Sequence, residues 1–211
     1  MNTVFIKAQN SLEHIVSKID NASKCNAIDI FAREGDWISH VIYPKVNSLE
    51  AWEINPDYIQ ELQKNLPSAI VHCRDSIKFI KENINYNKFD IVLIDNGLNC
   101  YGENREYCEH FDVLPHINNI CSEESFVIFN VVRKPFNYEK FPDWQIRRNN
   151  FYNVSDSSEF SLDFLETFYC NYFNKLGYDV LEIHTNCREY KDGIDYNYHF
   201  GVKLLRRGIN G

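Results

Sequence analysis

The chain has 211 residues, of which 44% are hydrophobic, enough for one sizeable core and too few for two comfortable domains. A formal net charge of -8 and a pI near 5.4 argue against a broad phosphate-binding surface, so nucleic acid is not expected as a partner. No apolar run is long enough to cross a bilayer, and the start Met1-Asn2-Thr3-Val4 lacks the regions of a signal peptide, which together imply no membrane partner and a cytoplasmic protein.

Asn10 is placed to cap a first helix, with Glu13 three residues on and Leu12, Ile15, Val16 and Ile19 on one face. Asn26 to Phe31 follows as a short buried strand interrupted only by Asp29. The turn Ala32-Arg33-Glu34-Gly35 then leads into a helix carrying Trp37, Ile38, Val41 and Ile42, which Pro44 ends. Trp37 and Trp52 read as packing residues. Ser48 to Ile54 is the second strand, and Asn55-Pro56-Asp57 starts the next helix with a capping side chain, a proline at the first helical position and an acid near the positive helix end. Ile59, Leu62 and Leu66 form its buried stripe.

Ala69 to Cys73 is the third strand, and Asp75 or Ser76 caps a helix bearing Ile77, Ile80 and Ile84. Phe89 to Ile94 is the most apolar strand, expected at the centre of the sheet and ending at Asp95. From Glu103 to about Ile120 the spacing of Tyr107, Phe111, Leu114 and Ile117 predicts a helix broken near Pro115. Ser125 to Val132 is the fifth strand. The segment Arg133 to Ser161 shows no sustained period and reads as a lid or substrate-facing insertion. Its Arg147-Arg148 pair reads as a contact for an acidic substrate or, by default, as solvated charge, the default also for Arg206-Arg207.

Ser161 or Ser158 opens another helix through Phe164, Leu165, Phe168, Tyr172 and Phe173, closed by Gly177. Asp179 to His184 and Tyr198 to Leu205 make a final antiparallel hairpin around the turn signal Lys191-Asp192-Gly193. His184 and His199 lie on its opposite strands, as a cross-strand pair or as structural histidines. The seven cysteines are odd in number and scattered, as in a reduced protein. Cys100, Cys108 and His110 are the nearest approach to a metal-ligand set, and without a second tight pair no metal is expected. Alternating strands and helices closed by a hairpin predict a single three-layer α/β domain with one reversed strand.

These residues resemble a class I S-adenosylmethionine-dependent methyltransferase from roughly Asn26 to Arg207. Asp29-Ile30-Phe31-Ala32-Arg33-Glu34-Gly35 is similar to the family's first motif, an acid followed by a glycine-rich turn, although Arg33 stands where glycine is usual. The resemblance implies a Rossmann-like, mostly parallel seven-stranded sheet with a C-terminal antiparallel hairpin, and S-adenosylmethionine as cofactor. It implies cofactor contacts from Asp29, Phe31, Ala32, Arg33, Gly35, Glu53, Asp75, Ser76, Asp95 and Asn96. Within that set Glu53 matches the acid that binds the ribose hydroxyls, Asp75 the position that meets the adenine amino group, and Asp95-Asn96 the position beside the methyl group, with Asp95 the catalytic candidate. The family's amino-methylating branch for nucleic acids carries Pro-Pro and an aromatic where this chain has Gly97-Leu98. The function expected is therefore methyl transfer to a small-molecule or saccharide-like acceptor, with Asn99, Tyr101 and His110 as candidate pocket residues. The alternative is a methyltransferase-like fold acting as a binding or assembly module, which Arg33 motivates.

Overall fold

The structure is a computed structural model and describes residues 3–84, 86–96, 100–102, 104–135, 137–189 and 195–208. Seven strands form one sheet in the order β3-β2-β1-β4-β7-β9-β8, with β1 Asn26–Asp29, β2 Ser48–Glu53, β3 Ile70–Cys73, β4 Phe89–Ile94, β7 Cys121–Val132, β8 Tyr178–Glu189 and β9 Asp195–Arg206. The first five in space run parallel, and β9 is antiparallel to both β7 and β8. A separate two-stranded ribbon pairs β5 Cys100–Tyr101 with β6 Tyr107–Cys108.

Strand alternation divides the core into two layers. On one face Ile91, Leu93, Phe126 and Ile128 pack against Leu12 and Ile15 of α1 (Thr3–Val16), Val41 of α2 (Ile38–Ile42) and Leu62 of α3 (Pro56–Asn65). On the other, Val92, Ile94, Val127 and Phe129 pack with α4 (Ser76–Glu82), α5 (Pro142–Tyr152) and α6 (Leu162–Lys175). Neighbouring residues of β4 thus serve opposite layers, which explains why that strand is apolar throughout. This is the predicted three-layer α/β fold, with β4 central. Among the described residues no helix is long and apolar enough to cross a membrane.

Several boundaries differ from expectation. Helix α1 starts at Thr3, so Asn10 lies inside it rather than at its cap. Strand β1 stops at Asp29, where a turn begins, although Ile30 N–H still reaches the Leu93 carbonyl at 3.3 Å. Between Glu103 and Ile120 there is no long helix among the described residues. The chain instead forms β6, turns, and a 3-10 segment Leu114–Asn119 that starts with Pro115 near its amino end. A shared apolar spacing cannot distinguish such a compact chain of turns from a helix. Conversely, the segment read as aperiodic holds α5, whose Trp144, Arg148 and Tyr152 are buried. The terminal strands are longer than predicted, and Lys191-Asp192-Gly193 and Asn99 lie outside the described residues.

Candidate active site

The carboxyl ends of β1, β2 and β4 meet at one edge of the sheet, where open α/β sheets gather ligands. Asp29 ends β1. It is 2% exposed, accepts the backbone N–H of Phe31 through Oδ1 at 3.0 Å and the hydroxyl of Ser39 through Oδ2 at 2.5 Å. Burial raises its pKa to about 6, with the Ser39 and Phe31 hydrogen bonds opposing the rise and Glu53 adding to it. Asp29 is therefore enclosed within the turn and acts on the site by shaping it.

The next residues cross to β2. Ala32 N–H donates to the Trp52 carbonyl at 2.9 Å, and Arg33 N–H donates to Glu53 Oε2 at 2.9 Å. Glu53 Oε1 accepts from Asn55 N–H at 2.7 Å, and the Glu53 carbonyl accepts from Arg74 N–H at 2.8 Å. This carboxylate, 7% exposed, thus fastens two chain reversals at once. Arg33 adopts φ +49, the left-handed conformation that the family's glycine would take freely and that costs another residue about 1 kcal/mol or more. Its side chain turns outward, 61% exposed, near Glu34 at 3.4 Å and 5.9 Å from the Tyr58 ring centre.

Gly35 has two reasons to be glycine. Its φ is +73, and a Cβ there would approach Leu62 Cδ1 to 2.6 Å. The turn is pressed directly onto α3, and Asn65 Nδ2 adds a hydrogen bond to the Glu34 carbonyl at 2.8 Å.

Asp75 caps α4, with Oδ1 accepting Lys78 N–H at 3.0 Å. Ser76 is buried and donates its hydroxyl to the Ile30 carbonyl at 2.5 Å, tying α4 to the end of β1. At the end of β4, Asp95 accepts the indole N–H of Trp37 through Oδ2 at 3.0 Å. Trp37 is thus more than a packing residue. Its place two residues after Gly35 carries the turn's far side to β4, a contact across 58 residues that no local pattern announces.

Beyond Asp95 the wall is organised by Glu109, a residue absent from the sequence-derived set. Asn96 Nδ2 at 3.3 Å and the Tyr101 hydroxyl at 2.9 Å both donate to its carbonyl, while its Oε1 accepts from Arg148 Nη1 at 2.5 Å and Trp144 Nε1 at 2.8 Å. Glu109 and Arg148 are each 0% exposed, so Arg148 is not the solvated charge expected. Arg147 pairs with Asp112 at 3.5 Å, and Arg206 donates to the Asn118 and Cys121 carbonyls at 2.8 and 3.1 Å. His110 is also enclosed, its Nε2 2.6 Å from the Tyr169 hydroxyl, which lies 2.7 Å from that of Tyr152. Burial first and the nearby Arg148 second lower its pKa to about 3, against an opposing Asn130 carbonyl. It faces the core rather than an acceptor. His184 and His199 do not pair with each other: His184 meets Glu182 at 2.8 Å and His199 meets Ser11 at 2.9 Å. Among the described residues no group of three potential ligands could hold a metal.

No protein-family model matches the sequence, and no curated protein matches it. Solved structures match over almost the whole chain. PH1948 from Pyrococcus horikoshii, described only provisionally as an RNA methyltransferase, is 13% identical, with a TM-score of 0.58 over 95% of this chain and 85% of its own. M. jannaschii TYW2, solved in complex with AdoMet, is 15% identical with a TM-score of 0.55, over 98% of this chain and 78% of its own. The N-methyltransferase NodS from Bradyrhizobium japonicum WM9 is 10% identical with a TM-score of 0.60, over 97% and 98% of the two chains. At such identities the likeness establishes the fold, that of class I methyltransferases. It also corrects the exclusion of nucleic acid: a protein of this fold provisionally described as an RNA methyltransferase matches 95% of the chain. Net charge sums the whole surface, whereas an acceptor needs only a local patch.

Proposed function

We propose that this protein is an S-adenosylmethionine-dependent methyltransferase. The observation that carries the reading is Glu53, a nearly buried carboxylate at the tip of β2 bonded to the backbone of the turn after β1. Its two backbone hydrogen bonds leave acceptor capacity on a group with about four lone-pair sites, which suits a pair of ribose hydroxyls. Asp75 keeps Oδ2 beside its capping oxygen for a further donor, and Asn96 and Asp95 border the methyl end. Arg33 meets the Glu53 carboxylate through its backbone N–H while its side chain lies beside Glu34 and Tyr58, which favours an enzyme over a binding module.

Bound S-adenosylmethionine supplies an electrophilic methyl group. The chain's part is to align an acceptor in line with that group and exclude water, and such positioning provides much of the acceleration. Trp37 holds the Asp95 carboxylate in one orientation, and Asp95 receives the proton of a hydroxyl acceptor. Helix α5, anchored through Arg148, walls the acceptor side. The acceptor we propose is a small-molecule or saccharide-like metabolite. RNA is the second reading, favoured by the likeness to PH1948. Isothermal titration with S-adenosylhomocysteine tests the cofactor assignment: binding to the native chain and at least tenfold weaker binding to Glu53→Ala are expected. No heat from a folded native chain overturns it.

A further inference from the structure

The ribbon that follows Asp95 and Asn96 places two thiols face to face. Cys100 of β5 and Cys108 of β6 are directly opposed in antiparallel register, and their side chains are hydrogen-bonded to each other. Opposed residues in antiparallel pairs have Cα atoms about 4.5–5.5 Å apart, inside the roughly 4.4–6.8 Å range that a disulfide spans. The register therefore puts the pair within the spacing a disulfide can span. Their exposures differ: Cys100 is half-buried and meets solvent, while Cys108 is 0% exposed.

We propose that Cys100 and Cys108 form a reversible dithiol–disulfide site, oxidised by a peroxide and reduced by a small thiol. Cys100 is the residue an oxidant reaches. Its sulfur attacks the peroxide, the O–O bond breaks, and a sulfenic acid and water result. The Cys108 sulfur then displaces the sulfenic oxygen. The S–S bond forms, the S–O bond breaks, and the hydroxide leaves as water with the Cys108 proton. In total two thiols lose two electrons and two protons, which reduce one peroxide to two waters. Burial, with Glu109 and Cys100 beside it, pushes the Cys108 thiol well above its ordinary range. Cys108 is enclosed and out of reach of a solvent oxidant, which fixes the order of the two steps, and it gives up its proton only as its sulfur displaces the sulfenic oxygen.

The bond would fasten a functional wall. Tyr101, next to Cys100, donates to the Glu109 carbonyl and sets its ring edge-on to Phe31 at 5.9 Å, so the ribbon touches both the turn after β1 and the hub beyond β4. The inference stands on the ribbon alone and does not depend on the cofactor assignment.

The test uses the full chain, treated with hydrogen peroxide, denatured, alkylated with iodoacetamide and mapped by mass spectrometry. The expected result is loss of two of the seven alkylatable thiols, a mass lower by two hydrogens before alkylation, and a linked peptide joining Cys100 to Cys108. Dithiothreitol restores both thiols. In Cys100→Ser, Cys108 stays fully alkylatable after the same treatment, and in Cys108→Ser, Cys100 is trapped as sulfenic acid by dimedone. Half-buried Cys25 and Cys170 serve as internal controls. Alkylation of Cys108 in the native sequence at the same level with and without peroxide overturns the proposal. So does a bond from either residue to a different cysteine. Titration with S-adenosylhomocysteine on the reduced protein is scored separately, so failure of the cofactor reading and failure of the dithiol site are told apart.

Discussion

Around Glu53 the site is fastened by hydrogen bonds between adjacent strands and their turns, whereas around Glu109 it is fastened by a buried ion pair to a helix 39 residues further on. The first region uses neutral backbone donors and one carboxylate at a rim. The second encloses a full charge pair, an indole, a histidine and two tyrosines. A backbone-built turn is stabilised increment by increment. A buried pair is all or nothing, because either partner alone leaves a charge without water or counter-charge. The wall should therefore respond to the loss of one partner more severely than the turn responds to the loss of one hydrogen bond.

The largest effect is expected at Arg148. Arg148→Met leaves Glu109 buried and unpaired and should cost about 3–5 kcal/mol, measured by urea unfolding. The double variant Glu109→Gln/Arg148→Met removes the orphaned charge and should recover more than half of that loss. A single-variant cost below about 1 kcal/mol would erase the contrast between the regions.

Gly35→Ala comes next. It forces a side chain into a left-handed turn and against Leu62, and the two costs together predict about 2–4 kcal/mol by the same assay. A neutral result would mean that the turn is not pressed on α3.

Each region also holds one buried titrating group, and the two have opposite signs. Asp29 is raised from 3.8 to about 6, so its stabilising contribution is complete below its unfolded value and is lost as pH rises through about 6. His110 is lowered from 6.5 to about 3, so its contribution is complete above 6.5 and is lost as pH falls. Between pH 4 and 6.5 each amounts to roughly 3 kcal/mol, and they oppose one another. The native chain should show a shallow profile there. His110→Asn should become more stable on acidification over this range, and Asp29→Asn should become less stable. Parallel profiles in the two variants would contradict the assignment.

The smallest effect is expected at Arg33. Arg33→Gly relieves the left-handed strain but adds freedom to the unfolded chain, so stability should change by less than about 1 kcal/mol. With the side chain already outside the turn, binding of S-adenosylhomocysteine should be unchanged.

The same contrast explains what could be read in the sequence. Asp29, Gly35, Glu53 and the Asn55-Pro56-Asp57 start signal announce themselves by local spacing, because strand, turn and cap each impose residue types on near neighbours. The three-layer α/β architecture and the terminal hairpin followed from the alternation of such units, while the order of the strands did not. Trp37, Glu109 and Arg148 did not, because what defines them is a partner 58, 35 or 39 residues away, and an arginine destined for the core looks in sequence like one facing water. The helix predicted after Glu103 failed for a related reason: the apolar spacing was real, but turns and a 3-10 segment deliver the same residues to the core.

The central claim is that Glu53 holds a nucleoside in a turn that Arg33 leaves open. A crystal structure of the chain grown with S-adenosylhomocysteine tests it most directly. The account predicts the ribose hydroxyls on the Glu53 carboxylate, Asn96 and Asp95 beside the sulfur, and Arg33 still pointing outward. A structure grown at saturating ligand in which the Arg33 side chain fills the turn and no nucleoside density lies on Glu53 would contradict it.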